Sequence, residues 1–130
     1  MIQNVGTVCV FVADQDRAKA FYTNILGFEL RTDQPLFPGA ANRWVSVVPK
    51  GAQTEVILYL PDENWAHYKQ VIGKSQAVTF TTDNVVNTYN ELKAKGVKFD
   101  QEPDAQPWGT SVFLRDSEGN GLLLVEPPKG

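Results

Sequence analysis

The feature that most constrains this chain is that it repeats itself. A run rich in β-favouring residues, Thr7 to Val12, leads into Asp14, an apolar helical face and Gly27. A second run, Ala77 to Thr82, leads into Asp83, another helical face and Gly96. Asp to Gly spans thirteen positions both times. Each half reads as strand, helix and three strands, and such a repeat is recognised before any smaller motif. A four-stranded sheet covered on one side by a single helix leaves its other face in water, which an apolar face does not tolerate. Two such units side by side relieve this by curving around a shared cleft. The expected fold is therefore α+β, with two βαβββ modules forming a curved mixed sheet around that cleft. One domain, 1–130, divides into module 1 (1–60), a linker (61–75) and module 2 (76–130).

Within module 1, Val8, Val10 and Val12 alternate with Thr7, Cys9 and Phe11 at the period of a strand. The valines are expected to face the helix and the alternate residues the cleft. Asp14 reads as a helix N-cap, and Ala18, Phe21, Tyr22, Ile25 and Leu26 form one helical face. Gly27 ends the helix. Strands are expected at Phe28–Thr32, Arg43–Val48 and Glu55–Leu60, with a loop over 34–42 and a turn at Pro49-Lys50-Gly51. Pro61 to Ser75 reads as a polar connection. In module 2, Asp83 is expected to cap a helix that turns Val85, Tyr89 and Leu92 inward. Val97–Phe99 reads as a strand, Glu102 to Trp108 as a loop, and Thr110–Arg115 with Leu122–Val125 as a hairpin. Val78 and Phe80 should face the helix, leaving Ala77, Thr79 and Thr81 toward the cleft.

Composition removes whole classes of chemistry. Twelve Lys+Arg against fifteen Asp+Glu give a net charge of −3, with no basic footprint for nucleic acid or anionic lipid. A single cysteine, Cys9, excludes an internal disulfide and a cysteine-based zinc site, and a single histidine, His67, excludes any site needing two. No apolar run is long enough to span a membrane. The opening Met1-Ile2-Gln3-Asn4 lacks the pattern of a signal peptide, so a cytoplasmic location is expected.

Phe21-Tyr22 followed by Leu26-Gly27-Phe28, with a capping Asp seven residues earlier, is repeated weakly in the second half. Asp116-Ser117-Glu118-Gly119 then precedes an apolar strand ending Val125-Glu126-Pro127. This pattern resembles the glyoxalase / bleomycin-resistance / dioxygenase superfamily, the vicinal oxygen chelate fold, over nearly the whole chain. Metal-dependent members of that group hold a cation on four strand positions, and the resemblance places them at Thr7, Leu58, Ala77 and Leu123. Those side chains cannot hold a divalent ion, and among their neighbours, Gly6, Ile57, Tyr59, Gln76, Leu122 and Leu124, only Gln76 could ligate. No metal and no cofactor is expected. The resemblance then implies a metal-independent small-molecule binder that sequesters a drug or hydrophobic metabolite, and a homodimer in which modules pair across chains. The alternative is a glyoxalase-like lyase or isomerase, or a ring-cleaving dioxygenase, with displaced or unrecognised catalytic residues. A third reading is an interaction domain whose cleft is filled by its own side chains.

The candidate ligand-binding residues are Thr7, Cys9, Trp44, Leu58, Thr79, Trp108, Phe113, Arg115 and Leu123. Trp44 and Trp108 open corresponding elements and could stack on a planar ligand. Arg115, and more weakly Arg43, could fork onto an anion. Cys9 has no sequence neighbour that would activate a thiol, and His67 lies in the linker. Both carry a structural reading beside a chemical one. Asp116 to Gly119 is too short for a calcium loop and reads as a hairpin turn.

Overall fold

The structure is a computed structural model and describes residues 1–74 and 78–128. Gln76 and Ala77, two of the positions weighed for metal ligation, lie outside the described residues. Strand β1 (Thr7–Phe11) is followed by helix α1 (Gln15–Ala20) and then β2 (Glu29–Pro35), β3 (Arg43–Val48) and β4 (Glu55–Tyr59). The second module runs β5 (Val78–Thr81), α2 (Val85–Ala94), β6 (Asp104–Gln106), β7 (Gly109–Arg115) and β8 (Gly121–Glu126). The strands form two four-stranded sheets of the same topology, β1-β4-β3-β2 and β5-β8-β7-β6. Each is mixed, with its first and last strands parallel and the remaining pairs antiparallel. The two βαβββ modules expected from the repeat are therefore present.

Several local expectations shift. Asp14 caps α1 by accepting from the Arg17 amide at 2.9 Å. Its expected counterpart Asp83 does not cap α2. The cap is Asn84, extended at φ −151°, whose Oδ1 accepts from the Asn87 amide at 3.0 Å. The reason lies at the other end of α1, which continues as one π turn over Phe21–Ile25, with the Leu26 amide donating to the Phe21 carbonyl at 3.0 Å. A π turn takes up one extra residue. The matched spacing in the sequence thus hides an insertion in the first helix. Gly27 and Gly96, at φ 78° and 94°, are the true equivalents, because both chain reversals need the left-handed region. Val97–Phe99 is not a strand. Val97 and Phe99 pack onto the core, and the Phe99 ring lies 4.6 Å from that of Tyr89. The ladder partner of β7 is Asp104–Gln106, inside the expected loop. β2 likewise runs on to Pro35, and the linker holds 3₁₀ turns over Glu63–Val71.

One cluster of buried side chains joins the helix-facing sides of both sheets. It takes Val10, Val47 and Leu58 from the first, Val112, Leu114 and Leu122 from the second, and Tyr22, Val85 and Leu92 from the helical layer. The Phe28 and Phe80 rings meet edge-on at 5.1 Å across the module boundary. Each sheet's open face is consequently turned away from this common core.

The β7–β8 turn locks the modules together. Asp116 Oδ2 accepts from the Tyr22 hydroxyl at 2.7 Å, and Asn120 Nδ2 donates to the Phe11 carbonyl at 2.8 Å. Glu118 reaches the start of α1, accepting from the Ala13 and Asp14 amides at 2.9 and 3.0 Å and from Arg17 Nε at 2.7 Å. Burial alone would raise the Glu118 pKa, but the hydrogen bonds from Arg17 and the two amides outweigh it and hold it below the ordinary value. A carboxylate depressed on folding stabilises the fold above its unfolded pKa, and that contribution is lost as pH falls through the folded value. Melting temperature is expected to drop as pH falls from about 5 to about 3. In Glu118→Gln the drop should be visibly shallower. It should not vanish, since Asp33, held down by Lys19 and Arg43, titrates with the same sign. Parallel wild-type and variant melting curves across that range would refute the role of Glu118.

Candidate functional site

The open face of the first sheet carries a cavity of about 330 Å³ lined by Cys9, Phe11, Tyr59, Trp65 and Tyr68. Strand alternation builds its floor. Val10 and Val12 are buried in the core, so Cys9 and Phe11 point the other way. The parallel register pairs Phe11 with Tyr59 and sets Tyr59 beside it on that face. The linker supplies the remaining walls. Asp62 starts it by accepting from the Asn64 amide at 3.0 Å, and the helical course breaks at Trp65 (φ −121°, ψ 33°). Tyr68 then lies flat on Phe11, with ring centroids 4.3 Å apart and planes 11° from parallel. Trp65 stacks on Tyr68 at 5.7 Å, and Tyr59 meets Phe11 edge-on at 6.3 Å. The rings brace one another in the offset and T-shaped arrangements that aromatic quadrupoles prefer.

Cys9 contributes a wall of the cavity. Burial pushes its thiol pKa up, away from the thiolate that attack would need. Its neighbour on the parallel strand is Ile57. His67 stands 4.1 Å from the Tyr68 ring as part of the aromatic cluster.

The candidate residues divide between the two sheets. Thr7 is exposed on the same face as Cys9, opposite Glu55. Trp44, at 37% exposure, shares a strand face with Ser46 and does not line the cavity. Leu58 is a correction. Its exposure is 0%, and it belongs to the core beside Val10, because β4 pairs with β1 in a register that turns Ile57 and Tyr59 toward the open face. Thr79, Leu123 and Phe113 form one row across the outer face of the second sheet. Arg115 is occupied locally. Its guanidinium lies over the Phe113 ring at 5.3 Å and donates to the Gly119 carbonyl at 3.1 Å. Phe113 and Arg115 border a different cavity, of about 320 Å³, with Phe21 and Lys98. Trp108 is 55% exposed ahead of β7. Arg43 pairs with Asp16 and Asp33 and is not available to a ligand.

The site-forming residues absent from the sequence-based candidates are Phe11, Tyr59, Trp65 and Tyr68. The outward side of Phe11 was legible from strand alternation. The density of rings in Trp65-Ala66-His67-Tyr68 was the available signal for the linker walls.

The cation implied by the resemblance does not fit the donors present. Thr7 offers one hydroxyl, Ile57 and Leu58 offer none, and Leu123 offers none. Among the described residues no three His, Cys, Asp or Glu side chains gather as a metal site would need. No described helix is long and apolar enough to cross a membrane.

Comparison with known proteins bears on the family and the fold. Residues 4–124 match the family described as the Glyoxalase/Bleomycin resistance protein/Dioxygenase superfamily. An uncharacterized protein of Bacillus subtilis, YetH, is 38% identical over 126 residues, covering 97% of this chain and all of the relative. The crystal structure of TnmS3, an antibiotic binding protein from Streptomyces sp. CB03234, superposes with a TM-score of 0.84 at 34% identity and covers 98% of each chain. A probable lactoylglutathione lyase of Synechocystis is 26% identical over 120 residues, 88% of each sequence.

Proposed function

The chain belongs to the glyoxalase/bleomycin resistance protein/dioxygenase superfamily, and from that premise we propose that it is a metal-independent small-molecule-binding protein that sequesters its ligand. The observation that carries this reading is the aromatic cavity on β1, whose walls are Phe11, Tyr59, Trp65 and Tyr68. Its volume lies in the range of small-molecule pockets. Sequestration needs only that such a cavity bury the ligand's reactive part. The similarity to TnmS3, an antibiotic binding protein, supports the same class of ligand.

The reading extends to a cytoplasmic homodimer. Each open face is turned outward, so a second copy can set its Thr79–Leu123–Phe113 row against the cavity of the first and enclose the ligand. An enzymatic reading has support in the relative named a probable lactoylglutathione lyase. It would need cation donors that the strand positions do not supply.

A thermal-shift screen of flat, apolar compounds tests the proposal. A binder is expected to raise the melting temperature with concentration, equally with and without a chelator. Phe11→Ala should weaken that binding about ten-fold, since an aromatic contact contributes about 0.5–1.5 kcal/mol beyond the area it buries. Loss of affinity in Phe113→Ala would mark the partner's row as part of the enclosure. A shift that appears only with added divalent ions, or one indifferent to Phe11→Ala, would sink the reading.

A further inference from the structure

The cavity on β1 has a chemistry narrower than apolar. Four of its five lining side chains are aromatic, and neither lysine nor arginine lines it. Ring faces carry negative charge density, and a ring of such faces recognises ammonium groups that have shed their water. A carboxylate lies nearby in the chain, although not among the lining residues. Asp62 lies three residues beyond Tyr59, at the start of the segment that brings in Trp65 and Tyr68. Its carboxylate is fixed there by the hydrogen bond from the Asn64 amide. The Tyr59 phenol registers that charge: its pKa is raised by burial first and then by Asp62. The cavity wall and a carboxylate therefore share one short stretch of chain.

We infer that the ligand of this cavity is a cation, an aryl or N-methylated ammonium, seated among the four rings with Asp62 as its counter-charge. This rests on the reading of the cavity as a ligand site. A neutral aromatic would gain the same stacking but nothing from the carboxylate. A compact ammonium gains from both, and apolar ring surface beside the charges strengthens their interaction relative to bulk water.

Two probes of one shape separate these cases: 4-(trimethylammonio)phenol and 4-tert-butylphenol, which differ by a cationic nitrogen in place of a carbon. Calorimetric titration of the full chain is expected to show the ammonium binding about ten-fold more tightly, close to 1.4 kcal/mol. Asp62→Asn keeps a side-chain oxygen for the Asn64 amide and removes the charge. It should shrink that advantage, taken as the ratio of the two affinities, several-fold. Equal or tighter binding of the neutral phenol overturns the inference and leaves the cavity a site for uncharged ligands. Failure of both probes to bind at millimolar concentration overturns the inference and the cavity reading together.

Discussion

Asp116→Ala is expected to destabilise the chain by about 3–5 kcal/mol, which at this size lowers the melting temperature by roughly 10 °C or more. Asp116 is only 6% exposed. Its two oxygens accept from the Tyr22 hydroxyl, the Glu118 amide, and the amide and side chain of Asn120. Tyr22 is fully buried, and burial, followed by the charge on Asp116, drives its pKa up so that it remains a donor. Removing the carboxylate strands that hydroxyl and two turn amides without acceptors, and each unsatisfied group costs about 1–3 kcal/mol. Ser117→Ala, in the same turn, is the control and should stay within about 0.5 kcal/mol. Because both modules contribute to one core, the loss should appear in a single cooperative denaturant transition. A change below 1 kcal/mol, or two separate transitions, would contradict this account of the junction.

Leu58→Glu should prevent folding altogether. It installs the carboxylate that a metal-dependent relative would need at the position inferred from sequence, but the side chain is in the core beside Val10. An ionised carboxylate there costs several kcal/mol with no partner, comparable with the whole stability of a domain, about 5–15 kcal/mol. Thr7→Gln, which keeps the exposed face of β1 uncharged opposite Glu55, should change stability by about 0.5 kcal/mol or less. Circular dichroism and solubility of the two variants give the answer. A folded Leu58→Glu protein that takes up a divalent ion would show that the side chain faces outward after all and return the metal site to consideration.

These two positions also show what a sequence can and cannot reveal about this chain. The alternation in β1 was readable because valine and non-valine residues take turns, and it correctly turned Cys9 and Phe11 outward. β4 offered no such contrast. Val56, Ile57 and Leu58 are all apolar and all buried, so hydrophobicity did not say which side of the sheet each occupies. Only the pairing with β1 decides it. The helix boundaries failed for a related reason. Asp83 and Asn84 are both good caps, and the π turn in α1 made the wrong one fit the repeat. Nor could periodicity place Trp65 and Tyr68, because the linker's 3₁₀ turns are short and broken at Trp65, and their contacts with Phe11 are made in space. The order of elements, the hairpins and the duplicated topology rest on short-range signals, and those carried through.

The connection between the repeats furnishes two of the rings around the ligand space and no strand of either sheet. Part of the cavity wall is thereby encoded apart from the strands, while Cys9, Phe11 and Tyr59 remain tied to β1 and β4. On the proposed reading, substitutions at positions 65 and 68 are expected to alter which compounds the cavity admits while leaving the duplicated framework intact.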